Sequence, residues 1–463
     1  MKKILIANRG EIACRVITAA QQLGIKTVAI YSDADREALH CQQADIAVGI
    51  GGLRASESYL DMDKVLAAAI ANGVDGIHPG YGFLSESSRF AKAVQAHGMT
   101  WIGPSPDSID AMGDKNRARD FAVACGVPIL PGSGPLAPDD GCAVAKQAAA
   151  IGYPLLVKAA GGGGGIGMRQ VDSAANLSKV ISTTQSQAGK AFGDATVYLE
   201  RYIPRARHIE IQVFGYGDGS AVHLFERECS VQRRFQKVIE ESPAPNLPAH
   251  VLDKMTEAAV TLTKRQNYSG AGTVEFLMDA DTQEFYFLEM NTRIQVEHGV
   301  TEQVTGWDLV QAQLRFARGD LIPAAQSEIT HRGASIECRI YAENPERKFL
   351  PSPGTLSRFT VPHDMHALRI DTGVRQGDVI TPFYDPMIAK LIVTGADRHQ
   401  ALAHMADALQ ATVIEGLHHN VEFLQEIIAH PEFVSGHIDT DFLKRELDAL
   451  LIGLAERRGK ERV

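Results

Sequence analysis

Strand and helix patterns alternate through residues 3–103, and this alternation limits the fold more than any other feature of the chain. "KILIAN" (3–8) reads as a buried strand. In "EIACRVITAAQQLG", Ile12, Val16, Ala19, Ala20 and Leu23 recur at helical spacing, and Gly24 stands where a helix stops. "KTVAIYS", "YLDMDKVLAAAIANG", "DGIHP", "ESSRFAKAVQAHG" and "TWIG" continue the pattern. Strands joined by helical crossovers run parallel, so an open parallel sheet is expected here. The first turn after a strand, "ANRGE", holds a single glycine. Without G-x-G-x-x-G there is no case for a nicotinamide or flavin site.

Residues 104–140 are rich in Pro and Gly ("GPSP", "PILPGSGPLAPDD") and read as a linker with a short helix. A helix over 142–151, the strand "YPLLVKAA", a glycine run, and a strand, helix and strand ending in "TVYLERYI" make a small α/β unit the size of a lid. "HIEIQVFGYGDGSAVHLFER" is a hairpin turning at "GYGDG". A helix over 249–267 precedes a second hairpin, "GAGTVEFLMDADTQEFYFLEM", whose return strand ends near Glu289. Beyond residue 330 the chain turns β-rich, with helices over 397–412 and 420–430. The net charge of 46 − 56 = −10 argues against nucleic acid or an anionic membrane as partner. The sequence has no apolar run long enough to span a bilayer, and "MKKILIANRG" is no signal peptide. Six scattered cysteines without a C-x-x-C pair read as reduced thiols, so a cytoplasmic protein is expected.

Three stretches carry chemistry. In "KAAGGGGGIGM", consecutive glycines offer bare N–H groups to phosphates, and Lys158 ends the preceding strand as a point charge. A flexible hairpin tip is the plain alternative. In the second hairpin, pairing around Asp279–Thr282 brings Glu275 beside Glu289, with Asn291 next to them. Paired carboxylates repel unless a cation joins them, which suits a magnesium site completed by nucleotide phosphates. In "EMNTRIQVEH" (289–298) every second residue is polar, from Glu289 to Glu297. A solvated strand face and a functional edge are both open from these residues alone. The same holds for the cations Arg227, Arg233, Arg234 and Lys237.

"HPGYGFLSE", "MGDK", "KAAGGGGG", "RHIEIQV", "ERECSVQRRFQKVIEESPAP", "EMNTRIQVEH", "ECRIYAENP" and "FLPSPG" together resemble biotin carboxylase of the ATP-grasp superfamily, in order over residues 3–445. The resemblance implies an α/β and α+β multidomain protein. A Rossmann-like N-terminal domain would cover 1–114, an ATP-grasp domain 115–330 with a mobile lid near 131–203, a β-rich C-terminal domain 331–446, and a tail 447–463. It implies that Lys115 and Lys158 hold ATP phosphates, with Gly164 and Gly165 closing over them. Glu200, Arg201, Tyr202 and Ile203 would lie at the adenine, and His208 on the nucleotide. Glu275, Glu289 and Asn291 would hold Mg2+, with Mn2+ as a substitute. Lys237, Arg293, Gln295 and the Val296 backbone would bind bicarbonate, Glu297 would be its base, and Arg339 would steady the biotin enolate.

Biotin would arrive on a separate biotin carboxyl carrier protein, since no "AMKM" occurs, and a carboxyltransferase would follow. The resemblance implies a homodimer and a role in an acyl-CoA carboxylase such as acetyl-CoA carboxylase, hence fatty acid biosynthesis. Three positions depart from the family pattern: Ile166 stands for a basic residue, Phe235 for His and Gly299 for Pro. Two rivals stay in view: an ATP-grasp carboxylase of a urea-like nitrogen, and, because of Ile166 and Phe235, a silent ATP-binding regulator.

Overall fold

The structure, a computed structural model, describes residues 1–136, 141–159, 168–192, 194–234, 236–362 and 364–460. Gly164, Gly165, Ile166 and Phe235 lie outside the described residues. Strands β1 (Lys3–Ile6), β2 (Lys26–Tyr31), β3 (Ile46–Gly49), β4 (Gly76–His78) and β5 (Thr100–Trp101) form the expected parallel sheet, in the order β3-β2-β1-β4-β5. A parallel sheet must be covered on both faces. Leu5, Val28 and Ile30 pack against Val65, Phe90 and Val94 on one side. Ile4 and Ile6 pack on the other against Ile12 and Val16 of the helix Gly10–Gln22, and share that core with Phe214, Leu224 and Leu309 from far along the chain.

The stretch expected as a linker carries two helices, Pro106–Gly113 and Lys115–Ala124. Ser105 and Asp114 cap them, each accepting from a backbone N–H of the first turn, and Pro106 preforms the first. The lid-sized unit is a three-stranded antiparallel sheet of β6 (Leu155–Ala159), β7 (Met168–Val171) and β8 (Val197–Arg201), ordered β7-β6-β8. It packs against the helices Gly141–Ile151 and Leu177–Phe192 through Leu155, Val157, Leu199, Ala148 and Ile181.

Eight of the remaining strands build one antiparallel sheet. They are β9 (Ala206–Tyr216), β10 (Ala221–Arg233), β11 (Gln236–Ser242), β12 (Ser269–Asp279), β13 (Phe285–Asn291), β14 (Ala334–Tyr341), β15 (Leu368–Thr372) and β16 (Met387–Gly395), in the order β13-β12-β9-β10-β11-β14-β16-β15. This sheet runs straight through the boundary expected at residue 330, because β11 pairs with β14, Ile239 opposite Cys338. The stretch 447–463, expected as a tail, is helical through Lys460 within Phe442–Lys460. No helix among the described residues is long and apolar enough to cross a membrane.

The C-terminal strands also meet the first βα turn. A Cβ at Gly373 would lie 2.4 Å from the Gly10 carbonyl carbon and the Glu11 amide nitrogen. Both are backbone atoms that no rotamer change can move. Gly373→Ala is therefore expected to lower stability by about 1–3 kcal/mol through overpacking. A shift of the urea midpoint at unchanged slope would show it.

Candidate active site

The large sheet lines up charged side chains because residues directly opposite in adjacent antiparallel strands project from the same face. Glu289 lies opposite Glu275, as the hairpin reading requires, Glu275 opposite Glu210, and Glu210 opposite Arg227. Farther along, Glu240 lies opposite Glu337, and Arg339 opposite Lys390. All but Glu289 are buried.

Lys237, near the start of β11, holds this row together. Its Nζ donates to Glu210 at 2.6 Å, Glu275 at 3.0 Å and Glu297 at 2.6 Å. Glu297 also accepts from Arg339 at 2.9 Å, and the same guanidinium nitrogen pairs with Glu240. Arg227 is wholly buried and donates to Glu210 (2.5 Å), Gln212 (2.7 Å), Thr301 (2.9 Å), Thr273 (3.2 Å) and Gln295 (2.6 Å). Gln295 in turn donates to Glu275 at 2.8 Å, as Asn291 does at 2.9 Å. Arg293 bonds Glu86 at 2.9 Å and Asn291 at 2.8 Å. "EMNTRIQVEH" is thus the end of a strand followed by a bend that returns Gln295 and Glu297 to the end of the sheet where Glu275 lies.

Burial opposes every one of these charges, and the partners decide the outcome. Glu297 is buried, yet Lys237 and Arg339 bring its pKa down to about 2. Glu275 is likewise buried, and Lys237 and His208 hold it well below the usual carboxylate range. Lys237, despite burial, is held protonated by Glu210, Glu275 and Glu297. Burial raises Glu289, and the neighbouring Glu275 raises it further. Cys229 is buried beside Glu210, which keeps its thiol neutral.

Among the described residues, three places gather donor atoms suited to a metal ion, and at one of them, Glu210, Cys229 and Glu297, Lys237 occupies both carboxylates. His208, Glu210 and Glu275 set donor atoms within 4.8 Å of one another, but the Lys237 ammonium already sits on both carboxylates there. Between Glu275 and Glu289, by contrast, two opposed carboxylates meet, and the Glu289 carboxylate has no hydrogen-bond partner among the described residues. Hard oxygen donors at that spot fit Mg2+ or Mn2+, with the Asn291 carbonyl oxygen next to them, here accepting from Arg293.

Of the residues expected at the nucleotide, Lys158, Glu200 and Arg201 lie on the lid strands β6 and β8. Lys158 pairs with Glu200, which also accepts from Arg119 at 3.0 Å. Arg201 continues β8, its N–H donating to the Pro131 carbonyl at 2.9 Å. The Tyr202 hydroxyl donates to Asp441 at 3.0 Å, and Ile203 is buried. His208 Nε2 is 3.1 Å from Glu275. Lys115 is exposed at the first turn of its helix. At Gly299, which follows the first residue of the helix His298–Thr305, a Cβ would come 2.4 Å from Ile392 Cδ1. Ile392 thus occupies the space that the Cβ of any larger residue would need at this position.

Sequence reasoning missed Glu210, Gln212, Glu240, Glu86 and Lys390. The signal was present for three of them: Glu210 and Gln212 alternate with apolar residues in "HIEIQVF", and Lys390 is the lone charge in "MIAKLIV". A polar side chain inside a strand that is otherwise apolar calls for a partner.

Comparison with known proteins agrees with this geometry. Residues 1–109 match the family model "Biotin carboxylase, N-terminal domain" and 337–445 match "Biotin carboxylase C-terminal domain". Residues 114–325 match "Carbamoyl-phosphate synthase L chain, ATP binding domain". Biotin carboxylase 1 of Bacillus subtilis is 47% identical over 444 residues, covering 96% of this chain and 98% of that one. The mitochondrial methylcrotonoyl-CoA carboxylase subunit alpha of Dictyostelium discoideum is 48% identical over 97% of this chain, which spans only 64% of that protein. Among solved structures, the biotin carboxylase domain dimer of Hydrogenobacter thermophilus 2-oxoglutarate carboxylase, bound to MgADP, ADP and bicarbonate, aligns with a TM-score of 0.89 at 41% identity, covering 97% of this chain and 98% of that one.

The buried charges yield two expectations. Arg227→Met leaves Glu210 short of a cation, and should cost about 3–5 kcal/mol in denaturant unfolding, some of which Glu210→Gln in the same chain restores. Glu240 is pushed by burial, against Arg339, from 4.5 to about 7. Its folded-state pKa is the higher one, so the folded chain holds the extra proton between these values and stability falls as pH rises through that window. Glu240→Gln should flatten that section of the melting-temperature profile.

Proposed function

We propose that this chain, which belongs to the biotin carboxylase family, uses MgATP and bicarbonate to carboxylate biotin through carboxyphosphate, giving ADP, phosphate and carboxybiotin. The observation that carries the reading is the Lys237 ammonium shared between Glu275, at the metal end, and Glu297, at the far end of the bend. A single cation thereby ties the place where phosphates would be neutralised to the carboxylate that would take the proton.

Bicarbonate is a feeble nucleophile until it loses its remaining proton, so a carboxylate must face it. Glu297 is ionised well below neutral pH and ready to accept. With cations so close it is a weak base. An entering anion draws on Lys237 and Arg339 too, and so raises the basicity of Glu297 when substrate is present. Lys237, Arg293, Gln295 and the Val296 amide would cradle the anion. Magnesium bound at Glu275, Glu289 and Asn291 would offset phosphate charge. Lys158 pairs with Glu200, and the nucleotide phosphates would offer it a second anion and would also draw Lys115. The segment Glu200–Ile203 and His208 would line the nucleotide, with Gly164 and Gly165 of the lid closing over the phosphates and excluding water from a labile intermediate. Arg339, freed from Glu297, would steady the enolate of biotin.

The reading includes a biotin carrier and a carboxyltransferase as partners, which the resemblance puts on other polypeptides. It also includes a homodimer, as the Hydrogenobacter thermophilus neighbour is described. The carboxyl group would pass on to an acyl-CoA. Relatives named for methylcrotonoyl-CoA widen the choice beyond the acetyl-CoA expected from sequence.

Phosphate release from MgATP with free biotin, with and without bicarbonate, tests the proposal. Bicarbonate should stimulate release, and Glu297→Gln should reduce the stimulated rate about 10²–10⁴-fold while ATP still binds. Release indifferent to bicarbonate in the unaltered chain would favour the silent regulator.

A further inference from the structure

Two side chains outside the reacting groups grip the backbone on either side of Val296. Lys390 in β16 is completely buried, and its Nζ donates to the Val296 carbonyl at 2.7 Å. Its charge is offset by Glu11 at 3.2 Å, on the first helix, and Asp371 at 3.5 Å, on β15. His298 is also completely buried, and its Nδ1 lies 2.7 Å from the Gln295 carbonyl. A carbonyl only accepts, so Nδ1 carries the hydrogen. Burial and the nearby Lys390 and Arg15 push the pKa of His298 well below its ordinary value, which keeps the ring neutral.

In a trans peptide the C=O and N–H point in opposite directions, and both peptides here are trans. Fixing the Gln295 carbonyl on His298 therefore turns the Val296 N–H to the opposite side. Fixing the Val296 carbonyl on Lys390 does the same for the Glu297 N–H. Neither amide has a hydrogen-bond partner among the described residues. Unpaired successive amides suit an anion.

We infer that Lys390 and His298 are positioning residues that aim the amides flanking Val296 at bicarbonate, each acting through the carbonyl it holds. The inference rests on the functional reading above. A buried ammonium is an expensive way to hold one carbonyl, and Glu11 and Asp371 make it sustainable. In exchange, a charged donor grips more tightly than a neutral one. The grip also ties the anion segment to the N-terminal unit, since Glu11 accepts from the Tyr81 hydroxyl as well.

The test is the KM for bicarbonate and for MgATP in bicarbonate-dependent phosphate release. His298→Leu and Lys390→Met should each raise the bicarbonate KM by about tenfold or more, the worth of one strong hydrogen bond, and leave the MgATP KM in place. His298→Asn, whose side-chain nitrogen can stand in for Nδ1, should stay near the unaltered chain. Because Lys390→Met strands Glu11, while Asp371 keeps Arg369 at 2.7 Å, Glu11→Gln/Lys390→Met is measured beside it, with melting curves to establish folding. Folded variants with an unchanged bicarbonate KM would overturn the inference, as would His298→Asn losing as much as His298→Leu. If the unaltered chain shows no bicarbonate dependence, the functional reading falls and takes the inference with it. Normal dependence with indifferent variants sinks the inference alone.

Discussion

An ammonium withdrawn from water must be surrounded by anions, and much of this site follows from how that need is met at Lys237. Its carboxylate partners come from β9, from β12 and from the bend after β13. Arg227, His208 and Arg339 share the task for Glu210, Glu275 and Glu297, but among the described residues Lys237 alone touches all three. Networks of this kind add little to stability, because desolvation consumes most of the attraction. What they provide is a fixed pattern of charge in a place where charge has large effects. Arg227, on the neighbouring strand β10, does likewise, with all its partners supplied by protein.

The antiparallel sheet makes the arrangement possible. Register alone sets Glu289, Glu275, Glu210 and Arg227 in one row across four strands, with no special loop geometry required. Strands hold side chains more firmly than loops do, and the groups that must not wander sit on strands. Arg293 and Glu297 sit on the bend, where Glu86, Lys237 and Arg339 hold them through side chains that can exchange partners.

The parallel sheet, both hairpins and the Glu275–Glu289 pairing were legible in the sequence because each depends on local periodicity and a short turn. Resemblance to a family supplied roles that periodicity could not, for Lys237, Arg293 and Arg339 among others. Glu240 stayed hidden for a physical reason: its importance arises from strands that become neighbours only after folding. Nothing local tells that Glu240 will face Glu337, or that Lys390 will reach a carbonyl nearly a hundred positions earlier. The continuation of the sheet past residue 330 was hidden likewise, since a change of texture in sequence looks like a domain boundary even where hydrogen bonding continues across it.

That continuity bears on which pieces of the chain could exist alone. A fragment stopping near residue 330 would lack β14 and leave β11 with a bare row of amides and carbonyls beside Val238 and Ile239. A naked sheet margin of this sort recruits other strands, and the fragment would self-associate. The chain before residue 330 and the chain after it each depend on the other to close one sheet.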